Sequence, residues 1–154
     1  MNEVELKDDD AASGIAKIPL VASLVALVGL ADSVYLTISH FTSEPVPCSL
    51  VEGCEKVLSS PYAEFYGMPI AALGALAYFA AFSLALLAAF GNRVMWNVLG
   101  LQVVVMATFT AWLLYLQAAV IGAFCQFCLL SAVTTFVILI LFAISKLKDR
   151  SQIR

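Results

Sequence analysis

Four long apolar runs dominate the sequence, and they leave few folds open to it. They lie at about residues 15–41, 68–90, 95–121 and 127–144. Each is close to or above the roughly 20 residues that a helix needs to cross a bilayer. Only 12% of the residues are charged, whereas a soluble domain carries about 25%. The sequence therefore predicts an all-α, polytopic membrane protein: a four-transmembrane-helix bundle, with no room for a second folded domain.

The polar segments define the domain organisation. Residues 1–14 are acidic and are predicted to be disordered, and with the long first run they are not typical of a signal peptide. Residues 15–146 form the membrane domain, and residues 147–154 form a basic tail. The longest connection, residues 42–67, is predicted to be a lid on the membrane surface. A short helix is expected within it, at Glu55 to Ser59.

The basic residues are distributed unequally about the four spans. An even number of spans puts both termini on one side, and that side holds Lys7, Lys17, Arg93 and the basic tail, whereas the opposite connections carry only Lys56. By the positive-inside rule, the termini are expected to be cytoplasmic. The protein is therefore expected to be a multi-pass protein of the cell inner (cytoplasmic) membrane, with an extracytoplasmic lid.

Four cysteines fall in two closely spaced pairs. Cys48 and Cys54 lie in the lid, and Cys125 and Cys128 form a Cys-x-x-Cys motif at the start of the fourth span. A helix that begins near Cys125 puts both sulfurs on one face, and its N-terminus favours a thiolate. Buried small hydrophobic residues are the alternative reading. Because all four cysteines fall on the predicted extracytoplasmic side, where disulfides persist, the pattern favours redox chemistry.

One cysteine pair can pass electrons to the other by thiol–disulfide exchange, through a mixed disulfide. The lid pair can meet a water-soluble thiol, and the pair at the membrane boundary can meet a molecule dissolved in lipid. The sequence has no haem or flavin motif, and its one His gives no metal cluster. The expected acceptor is therefore a membrane quinone such as ubiquinone or menaquinone. No metal and no nucleic acid are expected.

Several motifs together resemble the vitamin K epoxide reductase-like (VKOR) family over about residues 29–130. They are Ser33-x-Tyr35-Leu36, the lid motif from Cys54 to Ala63, Gly67-Met68-Pro69, Gly74 with Tyr78, Tyr115-Leu116-Gln117 and Cys125-Gln-Phe-Cys128. The resemblance implies a quinone pocket inside the bundle and two shuttle cysteines in the lid. It also implies that Cys128 works next to the quinone, that Cys125 exchanges with a lid cysteine, and that Ser60 lies near the redox site.

The predicted activity is that of a membrane thiol:quinone oxidoreductase that supports disulfide bond formation. Some bacterial members of the family carry a fused thioredoxin-like domain. This chain resembles the stand-alone type, which implies a separate thioredoxin-fold (DsbA-like) partner. Quinone-epoxide reduction is an alternative, but Ala132 stands where vertebrate members have Tyr. The other alternative is a non-enzymatic membrane scaffold with structural disulfides.

The quinone contacts are less closely defined by the sequence than the cysteines. Ser60 is joined as a candidate by Leu58, Tyr62 and Phe127, although a bundle core would hold such apolar and aromatic residues in any case.

Three polar residues of the spans have open roles. Asp32 is an acid inside a membrane span, where such groups are often functional; a lid-facing position at the water boundary or a protonated helix contact is the alternative. Gln117 faces either the pocket or a neighbouring helix. His40 is expected to be interfacial rather than catalytic.

Overall fold

The computed structural model describes residues 3–48 and 53–153 of the chain. Its elements, in order, are α1 (Glu3–Thr42), α2 (Cys54–Leu58), β1 (Glu64–Phe65), β2 (Met68–Pro69), α3 (Ile70–Ala89), α4 (Arg93–Tyr115), a π-helix (Leu116–Ile121) that continues α4, and α5 (Gln126–Ile153). Four stretches of this described part are long and apolar enough to cross a membrane: Lys17–Thr42, Ile70–Ala89, Arg93–Ile121 and Gln126–Ser151. The predicted all-α, four-helix membrane bundle is confirmed.

The N-terminal segment differs from its expectation. Helix α1 begins at Glu3, so the structure has helix over residues 3–14, where the sequence predicted disorder. Glu, Leu, Lys and Ala are good helix formers. Because a long apolar helix already follows, extending it needs no new and costly nucleus.

Small residues let the helices approach each other closely in the half of the bundle remote from the lid. The core there combines five buried alanines with larger side chains: Ala22, Ala26, Ala81, Ala85, Ala88, Trp96, Leu99, Val103 and Ile138. Gly100 lies directly under the ring of Phe142, and a Cβ at this glycine would overlap that ring. Close backbone approach of this kind is how helices associate where lipid removes the hydrophobic drive.

Tyr78 of α3 joins three helices. Its ring lies on Gly29 of α1, where a Cβ would overlap the aromatic carbons. Its hydroxyl donates to the Ser131 carbonyl oxygen of α5 at 2.6 Å, and lies 2.8 Å and 2.7 Å from the hydroxyl oxygens of Thr134 and Thr135. A buried phenol hydroxyl needs such partners, and these partners fix α5 against α3.

The lid consists of α2 and a small hairpin. Helix α2 lies within one residue of its predicted position, but the hairpin of β1 and β2 was not predicted. Tyr66 and Gly67 turn the hairpin with φ angles of 53° and 77°, as a two-residue turn of this kind requires. The Ile70 amide then donates to the Ala63 carbonyl oxygen at 2.9 Å, where α3 begins. Residues 49–52 of the predicted lid lie outside the described residues.

Candidate functional site

The two lid cysteines are joined to each other and differ in access. Cys48 and Cys54 form a disulfide, with their Cα atoms 6.2 Å apart. Cys54 is the first residue of α2 and is only 1% exposed, whereas Cys48 is partly exposed. A soluble protein that approaches the lid can therefore reach the sulfur of Cys48 more easily than that of Cys54.

Cys54 packs against Cys125, so the structure brings one particular lid cysteine to the Cys-x-x-Cys pair. Cys54, Val57 and Cys125 form one buried cluster, and Cys48 and Cys128 lie at its border. The lid backbone is equally close: a Cβ on Gly53 would lie 2.5 Å from the carbonyl oxygen of Phe124. The sequence left open which lid cysteine faces Cys125, because a separation of six residues does not say which of the two is buried.

Cys125 caps helix α5. Its carbonyl oxygen accepts the first helical bond from the Leu129 amide at 3.0 Å, and its own amide donates to Oε1 of Gln117 at 3.2 Å. The Cys128 thiol donates to its sulfur, as do the amides of Cys128 and Phe127, and together they lower the pKa of Cys125 to about 6 although burial opposes this. This shift favours the thiolate of Cys125 at neutral pH, the form that attacks disulfides.

A cavity of about 320 Å³ lies beneath the lid, and Cys128 lines it. Cys125 is not among the lining residues, which fits its position behind Cys128 and against Cys54. The walls come from α1, α3, α4 with its π-helix, α5 and the lid, and most of the lining side chains are apolar. A cavity of this size and character is typical of a site for a flat organic ring with a few polar contacts.

Three of the four residues predicted to contact a quinone line this cavity: Leu58, Ser60 and Tyr62. Phe127 does not line it and instead packs on Tyr35, with the ring centroids 5.3 Å apart. The prediction for Phe127 has no support in this geometry. The reason is helical geometry, because a residue one position before Cys128 points about 100° away from it around the helix.

The three polar residues whose roles were open also line the cavity. Gln117 combines its two predicted roles, since it lines the cavity and accepts from the Cys125 amide. His40 lines the cavity near the lid, and its Nε2 lies 3.3 Å from Oε1 of Glu64 in β1. Asp32 lies deeper on the same helix and is buried, at 7% exposure.

The sequence did not predict that one face of α4 forms a wall of the cavity. Met106, Phe109, Thr110 and Leu113 line the cavity and recur at helical spacing. The other faces of α4 are equally apolar because they meet lipid, so a hydrophobic period could not single out this face. The one polar residue among the four, Thr110, was the only available signal.

Metal chemistry finds no support in the described residues, where no group of three or more His, Cys, Asp or Glu side chains could hold an ion.

The comparison with known protein families agrees with this geometry. The model of the vitamin K epoxide reductase family matches residues 20–143, which is well over half of the chain. The match spans all four cysteines and every element that lines the cavity. Its extent shows that the chain belongs to the vitamin K epoxide reductase family.

Proposed function

We propose that the protein is a membrane thiol:quinone oxidoreductase that oxidises an extracytoplasmic thioredoxin-fold protein and supports disulfide bond formation. Family membership makes it a membrane oxidoreductase of the quinone- and epoxide-linked kind. The finer proposal is carried by one observation, the spatial order of the cysteines. Cys48 is accessible, Cys54 packs on Cys125, and Cys128 lines the cavity.

This order describes a path for two electrons. A dithiol on the partner protein would reduce the Cys48–Cys54 bond, with a mixed disulfide at Cys48. The freed Cys54 thiolate would then attack a Cys125–Cys128 disulfide at Cys125, which releases the Cys128 thiolate. The second thiol of the partner would displace Cys48 from the mixed disulfide, and the Cys48 thiolate would then attack Cys54, which re-forms the lid disulfide and releases Cys125. The reduced pair that results would give two electrons and two protons to the quinone and return to a disulfide.

The cavity fits a quinone ring. Its apolar walls suit the ring, and Ser60, Tyr62 and Thr110 bring hydroxyl groups to it. The Ser60 hydroxyl donates to the Val57 carbonyl oxygen at 2.7 Å. Ala132, which stands at the position of a family tyrosine, is buried and does not line the cavity. This position therefore supplies no hydroxyl for an epoxide, and the quinone reaction is the better proposal.

The charge distribution supports an orientation in the cell inner membrane. Arg93, Lys146, Lys148 and Arg150 lie at the end of the bundle remote from the lid. By the positive-inside rule we propose that this end and both termini are cytoplasmic. The four cysteines then lie on the extracytoplasmic side, where a thioredoxin-fold (DsbA-like) partner would meet Cys48.

The test is quinone reduction by purified protein with a reduced thioredoxin-fold protein as donor. We expect one quinone to be consumed for each donor disulfide formed, with Cys48→Ser as the inactive control. Acid-trapping the cysteines with a maleimide during turnover separates this activity from a structural role. If all four cysteines keep one fixed redox state when quinone is withheld, the disulfides are structural and the proposal fails.

A further inference from the structure

We propose that Asp32 is a proton-relay residue, which carries one of the two protons of quinone reduction from the Cys128 thiol to a quinone oxygen. This inference rests on the function proposed above and assigns a role within the same cavity. It comes from a buried acid that the cysteine path does not use.

The position of Asp32 is unusual for a carboxyl group. It lies in a membrane span and is 7% exposed. Neither of its carboxylate oxygens has a hydrogen-bond partner among the described residues. Burying a polar group without a partner costs stability. A purely structural role would be served better by an apolar side chain, so the acid calls for another explanation.

The surroundings of Asp32 point to the reaction. It lines the same cavity as Cys128, the cysteine proposed to work next to the quinone. The other titratable groups that line the cavity are His40, Tyr62 and Tyr78. Tyr78 is occupied with α5, and His40 lies two helical turns nearer the lid with Glu64 beside it. Within the described part of the chain, no Lys or Arg lines the cavity to neutralise the acid.

The chemistry balances with Asp32 as a carrier. The Cys125 and Cys128 sulfurs lose two electrons as the bond between them forms, and the quinone gains two electrons and two protons. Asp32 in its acid form gives its proton to one quinone oxygen, and its carboxylate then takes the proton that leaves the Cys128 sulfur. The second proton enters from water at the lid and replaces the one that Cys125 has already released as a thiolate.

Two half-reactions measured separately test the relay. The first is exchange between a reduced thioredoxin-fold donor and the oxidised protein, which needs no proton at the quinone. The second is single-turnover oxidation of the pre-reduced protein by a soluble quinone, followed between about pH 7.5 and pH 9, above the range in which most of the Cys125 thiol titrates. The variants are Asp32→Asn and Asp32→Glu, with Asp149→Asn as a matched control, because this acid lies remote from the cavity near Arg93.

We expect Asp32→Asn to slow quinone reduction about a hundredfold and to leave thiol exchange within about threefold of the wild-type rate. Its remaining rate should rise as the pH falls, because protons must then come from water. Asp32→Glu should recover most of the rate, and Asp149→Asn should change neither half-reaction. If Asp32→Asn cannot be purified, the pH profile of Asp32→Glu against wild type carries the test.

Equal quinone reduction by Asp32→Asn and wild type would overturn the relay, as would an equal loss in both half-reactions, which would indicate a structural role. Failure of the wild-type protein to reduce any quinone would instead overturn the proposed function. The two failures are therefore distinguishable.

Discussion

The two ends of this bundle differ in how their helices pack and in which side chains they bury. Away from the lid, alanines and glycines bring the helices together around Trp96, Leu99 and Val103. At the lid end the helices surround a cavity, and buried polar groups such as Asp32 and Gln117 face it. The packed end fixes the helices, which allows the other end to stay open. The difference shows how a small membrane protein can hold a ligand site without a large core.

Substitution of the cysteines at the open end should have the largest effect. We expect Cys128→Ser to reduce quinone turnover by at least about a thousandfold. It should also accumulate a disulfide between Cys54 and Cys125, because Cys128 is no longer present to displace Cys54 from Cys125. Cys125→Ser should also be inactive but should keep the Cys48–Cys54 disulfide. Mass spectrometry under non-reducing conditions reads both states. A mixed disulfide that joins Cys48 rather than Cys54 to Cys125 would contradict the order proposed here.

Enlarging Gly29, which lies against Tyr78 where the packed core meets the cavity, should lower the stability of the bundle. Gly29→Leu would push into the ring of Tyr78, and overpacking of this kind typically costs about 1–3 kcal/mol. The matched control is Ala31→Leu, on an exposed position of the same helix, which should change the stability little. Unfolding in a detergent titration measures both variants. Equal losses in the two variants would mean that the Gly29–Tyr78 contact has no special role.

The smallest expected effect is a pH dependence at the open end. Because the pKa of Cys125 is lowered to about 6, its thiolate persists above that pH and is lost as the pH falls through it. About one pH unit below this value, the thiolate fraction, and with it the exchange rate with Cys54, should drop roughly tenfold. The ultraviolet absorbance of the thiolate in the reduced protein follows the titration, and Cys125→Ser should remove it. A midpoint near the usual thiol value would show that the Cys128 thiol and the amides at the start of α5 do not stabilise the Cys125 thiolate.

Local features of the sequence predicted much of this molecule, and relations across the bundle were harder to predict. The spans follow from length and composition, and the cysteine pairs follow from spacing. Helix α2 was expected because Pro61 follows a short amphipathic stretch. The burial of Cys54 depends on how the lid folds onto the connection before α5. Gly53 permits that close approach, but a single glycine in a loop does not indicate which segment it will meet.

For a related reason, the sequence does not show which side of each apolar helix faces the cavity and which faces lipid. Phe127 and the cavity side of α4 could not be assigned, because lipid and protein interior demand the same kinds of side chain. Asp32 and Gln117 stood out because they are polar in an apolar stretch. The structure added that both line one cavity with Cys128. The hairpin after α2 was missed because its strands have only two residues each, too few for an alternating pattern.

The contact between Gly53 and Phe124 has a consequence for how the outer surface of the lid can change during evolution. Each of these residues directly precedes a reactive cysteine, Cys54 or Cys125, and their main chains touch. The alignment of the two sulfurs is therefore set by backbone against backbone and depends little on the lid's outward side chains. Those outward side chains can be exchanged to suit a different soluble partner, while the route that electrons take beneath them keeps its geometry.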